Sequence, residues 1–428
     1  MTLRVSENRR FLQQSDGTPF FYLGDTAWEL FHRLSFEEAD HYLTDRAAKG
    51  FTVIQCVALA ELDGIRTPNE NGDTPFINED PTQPNEAYWK HVDCVIARIA
   101  ELGMVSGVLP TWGDKWNKAW GAGPEFFTPE NARTYGHFLG SRYKDTPSLL
   151  WILGGDRSID NETHLAIIRA MSAGITAGDG GAHLQTFHPQ GQQTSSQHLH
   201  NDDWLAFNMY QTGHMFDRDN YNSVAADFTL TPTKPCLDAE PGYEDHPNAW
   251  KPETGYFDDY ECRKWLWWAV LAGACGHTYG CHPIWQFYEK GKREPVGYVR
   301  NNWQDALHFP GSSQMRHAKD LLLTHPYFSR IPDQSLIVSD TYDGKPVRTH
   351  HIQASRDENG TYAIVYSASG QPFTVDMTKF SGTAKAAWFD PRSGKTESIG
   401  EFTNTGTQEF TPPGNGRGSD WVLTLGSV

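Results

Sequence analysis

Between residues 19 and 323, short runs of β-branched and apolar residues alternate with longer stretches whose apolar positions recur at helical spacing. That alternation is the pattern of β/α units. Eight strands are expected, at residues 19–24, 52–57, 104–109, 149–154, 184–188, 205–210, 235–239 and 276–281. Helices are predicted over 35–49, 86–102, 129–142, 162–177, 221–228 and 258–272, with a poor short one after the fifth strand and a last one from residue 312 to residue 323. Ser35 with Glu38 reads as a capping box, and Asn161 as the cap of the fourth helix. Eight strands with eight crossovers fit a (β/α)8 TIM barrel, which typically takes about 250 residues plus insertions. A doubly wound open sheet is the alternative.

After Pro332 the periodicity changes to short alternating runs at 335–338, 349–354, 361–366, 373–376, 384–389, 396–399 and 421–425. Turn signals separate them, among them Glu358-Asn359-Gly360 and Pro391-Arg392-Ser393-Gly394. The expected organisation is therefore an α/β barrel over 1–332 and an all-β sandwich over 333–428.

Charge narrows the partners. With 36 Lys+Arg against 53 Asp+Glu the chain carries a formal charge of −17, which argues against a nucleic-acid partner. The longest dense apolar run, residues 265–275, is well short of the ~20 residues a membrane-spanning helix needs. The first thirty residues hold no apolar signal core, so a cytoplasmic location is expected, or a periplasmic or secreted one if a leader has been removed. Six cysteines with no CxxC pair are expected to be buried free thiols. No obligate protein partner is expected. The stronger signal is aromatic: 13% Phe, Trp and Tyr, with 15 Trp, suits sugar rings, whose C–H faces pack on aromatics.

In a barrel the chemistry sits where the strands end at their C-terminal side. The residues there are Asp25 and Trp28; Gln55 and Glu61; Trp112, Asp114 and Trp116; Asp156 and Arg157; His188; Tyr210 and Gln211; Glu240; and Tyr279, His282 and Trp285. Glycoside hydrolysis by the usual route needs two carboxyl groups flanking the bond. Asp156 and Glu240, after the fourth and seventh strands, would face one another across the barrel mouth. Gly154 and Gly155 would let the chain turn sharply and aim Asp156 inward. The plain alternative is that Asp156 caps the next helix or pairs with Arg157, and that Glu240 is an ordinary loop acid.

On the catalytic reading Glu240 attacks the anomeric carbon, and Asp156 is the acid that later deprotonates water. Burial among Trp residues and the charge of Glu240 would raise the pKa of Asp156. The two carboxyl groups would then stand about 5 to 5.5 Å apart and the reaction would retain configuration. His188 and Tyr210 are candidates for orienting Glu240. Asp25, Trp28, Gln55, Trp112, Asp114, Gln211, Tyr279, His282 and Trp285 are candidates for the sugar pocket. His188 with His198 and His200 is a metal alternative, disfavoured because metal-dependent barrel hydrolases carry a His pair at the end of the first strand, here Gly24-Asp25-Thr26. No metal and no cofactor are expected. GxSxG, GxxxxGK[ST], GxGxxG and HExxH are all missing. Trp265, Trp267 and Trp268 read as helix packing.

Five motifs carry a family resemblance: Gly24-Asp25-Thr26-Ala27-Trp28, Trp151-Ile152-Leu153-Gly154-Gly155-Asp156, Asp238-Ala239-Glu240-Pro241-Gly242-Tyr243, residues 273–280 and Trp388-Phe389-Asp390-Pro391-Arg392-Ser393-Gly394. Together they resemble the apiosidase-like glycoside hydrolases of family 140. The resemblance implies a (β/α)8 barrel with a C-terminal β-sandwich, retaining cleavage of β-apiosides, and catalytic carboxylates at Asp156 and Glu240. The implied partner is an apiose-containing glycoside or oligosaccharide. An arabinofuranosidase, a family 5-like endoglycanase and a non-catalytic carbohydrate-binding protein are the alternatives.

Overall fold

The computed structural model describes residues 1–340 and 350–427. Eight parallel strands form the barrel: β1 (Tyr22–Ala27), β2 (Val53–Val57), β3 (Val105–Leu109), β4 (Leu149–Gly154), β5 (Gln185–His188), β6 (Asn208–Tyr210), β7 (Cys236–Asp238) and β8 (Gly276–Tyr279). Their order in the sheet is β5-β4-β3-β2-β1-β8-β7-β6, so β1 pairs with β8 and only β5 and β6 remain to close the cylinder. They meet through a parallel bridge from Gln185 to Leu205 and through the Thr186 hydroxyl, which donates to the Phe207 carbonyl at 2.7 Å. β1 to β4 are buried along their whole length, as strands covered on both faces must be.

The covering helices are α1 (Phe36–Ala48), α2 (Glu86–Glu101), α3 (Pro129–Tyr143), α4 (Glu162–Asp179), α5 (Asn220–Phe228), α6 (Asp259–Leu271) and α7 (Pro310–Leu323). After β5 there is only a four-residue turn of helix, Ser196–Leu199. The Ser35/Glu38 capping box forms, and Asn161 caps α4 by accepting from the His164 amide. The first expected strand splits in two. Pro19–Phe20 joins an antiparallel three-stranded sheet with Leu3–Val5 and Leu12–Gln14, and the barrel strand starts only at Tyr22; with no turn residue at the break, the apolar pattern reads as one strand. Among the described residues no helix is long and apolar enough to cross a membrane. Five of the six free cysteines are buried; Cys94, expected to be buried, is exposed on α2.

The C-terminal region is a two-sheet β structure. A six-stranded sheet has the order β9-β11-β12-β17-β14-β15, from β9 (Arg330–Pro332), β11 (Ile352–Asp357), β12 (Tyr362–Ser367), β14 (Ala384–Asp390), β15 (Lys395–Phe402) and β17 (Trp421–Ser427). A three-stranded sheet joins β10 (Ile337–Asp340), β13 (Phe373–Asp376) and β16 (Thr407–Phe410). Leu336, Val365, Phe373, Val375, Trp388 and Leu423 fill the space between them. The strand expected at 349–354 begins at a residue outside the described ones and is seen from Ile352. Two strands escape the sequence pattern. Arg330–Pro332 lies on the barrel side of the expected boundary yet pairs with Ser355–Asp357, and Thr407–Phe410 is a polar edge strand with one buried residue.

Helix α6 joins the two parts. Arg263 makes a two-pronged ion pair with Asp420 at 3.0 and 2.9 Å, Trp267 stacks on Tyr366 at 5.9 Å, and the Trp268 indole donates to the His351 carbonyl at 3.1 Å. The tryptophans of α6 are packing residues, as their spacing suggests.

Candidate active site

At the C-terminal ends of the barrel strands lies a cavity of about 720 Å³. Its wall includes Asp156, Glu240, Trp28, Trp112, Gln211 and Trp285 from the expected set, together with Glu61. The two carboxylates therefore share one open space.

Backbone geometry fixes Asp156. Gly154 and Gly155 take φ of +98° and +104°, and Asp156 itself takes +50°. A Cβ at Gly154 would stand 2.3 Å from the His188 carbonyl oxygen, and one at Gly155 2.9 Å from the Gly113 amide nitrogen. Only glycine fits that close approach. A left-handed aspartate costs about 1 to 3 kcal/mol, a strain that clusters at functional positions. The turn places the Asp156 amide 3.4 Å from His188 Nδ1, and the carboxylate 3.4 Å from Arg157.

Glu240 is held more tightly. His188 Nε2 lies 3.1 Å from Oε2, and His214 Nε2 lies 3.3 Å from Oε1. Because His188 Nδ1 faces the Asp156 N–H, the ring proton belongs on Nε2, the atom in contact with Glu240. One histidine thus touches both acids. Beneath β7, the Asp238 carboxylate accepts from the Thr212 hydroxyl and from the Asn220 side chain, tying β7 to the β6 loop and to α5. The Gly213 amide donates to the Glu240 carbonyl at 3.2 Å, which seats His214 beside its partner. Tyr243, whose hydroxyl accepts from the Trp28 indole at 2.8 Å, stands against Glu240 as well.

These surroundings push the two acids apart. Burial first, then the negative charges of Glu240 and Glu61, raise Asp156 to about 8, against the opposing pull of Arg157. Burial also works to raise Glu240, but the hydrogen bonds from His188 and His214 outweigh it and hold Glu240 down to about 2. Between those limits one group is a protonated acid and the other a carboxylate. That is the division of labour a two-carboxylate mechanism needs.

The remaining expected residues lie around the cavity rather than in its wall. Asp25 is fully buried, accepting from Arg46 Nε at 2.5 Å and the Tyr42 hydroxyl at 2.7 Å. Gln55 donates to the Ala239 carbonyl at 3.0 Å, next to Glu240. Asp114 pairs with Lys115 at 2.6 Å and accepts from the Gly123 amide at 2.7 Å, closing the loop that carries Trp120. Trp116 is buried outside the cavity wall and packs edge-on against His164. Tyr210 meets Ser223 and contributes its carbonyl to the Ala239 amide, so its side chain does not orient Glu240. Tyr279 donates to Glu244, and His282 accepts from the Trp285 indole at 3.1 Å, so it sets the angle of a cavity residue. His200 sits against the Asn208 amide, and neither it nor His198 lines the cavity. Among the described residues no group of three or more His, Cys, Asp or Glu is placed to hold a metal ion.

Reading a few residues past each strand misses His214, Tyr243, His246, Trp120 and Trp250, all of which line the cavity from farther along the loops. The available signal was local: His214 is the fourth residue past the β6 end, next to Gly213, and Tyr243 closes the Asp238–Tyr243 motif.

The family model described as "Apiosidase-like, catalytic domain" matches residues 6–329, and one described as "Putative collagen-binding domain of a collagenase" matches residues 331–426. A solved glycoside hydrolase is 34% identical, with all of this chain and 97% of that one covered and a TM-score of 0.91. A glycoside hydrolase family 5 protein from Bacteroides vulgatus is 32% identical over 100% of this chain and 93% of that one, also with a TM-score of 0.91. An endo-1,4-β-D-mannanase from Thermotoga petrophila shares the barrel fold at 14% identity, covering 71% of this chain and 100% of that one with a TM-score of 0.52. Among curated proteins none matches the chain.

Proposed function

Because the chain belongs to the apiosidase-like family and is a glycoside hydrolase, we propose that it cleaves β-apiosides with retention, Glu240 acting as nucleophile and Asp156 as acid and base. The observation that carries this reading is the meeting of Asp156 and Glu240 in one cavity, with Glu240 anchored by two histidines and Asp156 left without a strong partner.

In the first step a Glu240 oxygen forms a bond to the anomeric carbon while the bond from that carbon to the leaving oxygen breaks. The proton of Asp156 goes to that oxygen. Asp156, now a carboxylate, then takes a proton from water, whose oxygen attacks the anomeric carbon and releases Glu240. His188 and His214 keep Glu240 ionised and aimed during attack. Trp28, Trp112 and Trp285 offer apolar faces for the sugar ring.

Incubation with an apiosylated flavonoid and with apiose-bearing pectin fragments, followed by analysis of released sugars, tests the substrate class. Free apiose from either is the expected result, and release of arabinose alone from a parallel glycoside panel overturns the reading. A family 5-like glycanase is the second reading, favoured by the 32% identical relative of that family; it keeps both carboxylates and changes the sugar.

A further inference from the structure

Of the 15 tryptophans, two are exposed, Trp120 at 61% and Trp250 at 46%, and both line the cavity that holds the two carboxylates. Exposed apolar side chains gathered on one cavity mark a binding groove rather than scattered surface, and here they stand on loops from different sides of the barrel. Trp120 belongs to the β3 loop and Trp250 to the β7 loop.

Each indole is tied to one of the acids. The Arg157 guanidinium lies 4.1 Å from the centre of the Trp120 ring, and the same guanidinium stands 3.4 Å from the Asp156 carboxylate. Trp120 is thereby backed on one face and open on the other. Trp250 meets His246 edge-on at 4.4 Å, His246 stacks on His214 at 4.2 Å, and His214 reaches Glu240 at 3.3 Å. Ala249 and Trp250 both take left-handed backbone angles, φ +53° and +60°, so that indole is held in place against local strain.

We propose that Trp120 and Trp250 are two sugar-stacking platforms on either side of the cleaved bond, so that the substrate is a glycan spanning both rather than a lone sugar on a small leaving group. The inference rests on the assignment of Asp156 as the acid. The group that leaves must carry the oxygen that Asp156 protonates, so Trp120, beside Asp156, stacks the leaving sugar. Trp250, on the Glu240 side, stacks the glycosyl unit that stays. A cavity of about 720 Å³ has room for more than one ring.

The test compares β-apiosyl fluoride, whose leaving group is one atom, with a β-apiosyl hexoside, using the full chain and its Trp120→Ala and Trp250→Ala variants. Thermal melts of both variants confirm folding. Trp120→Ala should lower kcat/KM for the hexoside about tenfold more than for the fluoride, the loss coming mainly as KM. Trp120→Phe, which keeps an aromatic face, should recover most of that difference. Trp250→Ala should lower both substrates by a common factor. An equal loss on the two substrates in Trp120→Ala overturns the platform assignment while leaving the apioside reading standing. A wild-type protein that cleaves neither substrate overturns the apioside reading and this inference with it.

Discussion

Asp25 and Asp156 both stand near the C-terminal end of a barrel strand, and they meet opposite fates. α1 sends Tyr42 and Arg46, one turn apart, beneath β1, and together they close over Asp25. No part of that carboxylate reaches solvent. At β4 the Arg157 guanidinium is divided between Asp156 at 3.4 Å and Glu61 at 3.3 Å while its face lies on Trp120. Asp156 is left facing the cavity without a dedicated counter-charge. Position in the barrel nominates a carboxylate for chemistry, and the supply of partners from the neighbouring helix decides whether it is available.

The sharpest break between the two regions comes from substitution. Glu240→Gln should lower kcat roughly 10⁴-fold or more while the protein still folds and binds its glycoside, as calorimetry would show. Asp156→Asn should cost about 10²- to 10⁴-fold on glycosides with poor leaving groups and far less on a glycosyl fluoride, which needs no proton. Arg46→Met removes the partner of Asp25 and should instead cost about 3–5 kcal/mol of stability in urea unfolding, because it leaves a buried charge unpaired. The shape of its pH profile should stay that of the wild type.

Smaller effects refine the contrast. kcat/KM should fall as pH rises through about 8, where Asp156 loses its proton, and at the acid end only as pH falls toward about 2, where Glu240 gains one. His214→Ala should move that acid limb up toward the ordinary glutamate value of about 4.3 and lower kcat/KM about tenfold, since a donor to the carboxylate is gone. For stability the signs are opposite. Glu240, held low, stabilises the fold above its ordinary pKa, and that contribution is lost as pH falls toward about 2. Asp156, held high, stabilises below its ordinary pKa and loses that contribution as pH rises through about 8. Asp156→Asn should therefore raise Tm at neutral pH by about 2–5 °C. Activity should persist in a chelator, as acid and base chemistry on carboxylates requires no metal.

Most of this architecture was legible in the residues. Strand and helix positions followed from periodicity sharpened by caps such as Ser35 and Asn161, whose side chains do bond the first turn. The failures have physical causes. The strand breaks at Phe21 inside a continuous apolar run with no turn residue to announce it, and Thr407–Phe410 carries too few apolar positions to stand out as a strand. At the site, Asp156 and Glu240 could be located because each directly follows a strand. The direction of a side chain could not. Asp25, Asp114 and Tyr279 had the right address and turned to partners supplied from elsewhere in the chain or from the next residue. His214 and Trp250 had the wrong address and were brought back by loop folding, through the Gly213 amide bonded to the Glu240 carbonyl and the Ala249 amide bonded to the His214 carbonyl.

The mechanism requires that Glu240 form a bond to the sugar while Asp156 moves the proton. A 2-deoxy-2-fluoro-β-apiosyl fluoride, which slows the second step more than its good leaving group slows the first, should inactivate the protein, and peptide mass spectrometry should find one glycosyl group on Glu240. A label on Asp156 or Glu61, or a product of inverted configuration with no label at all, would contradict the account.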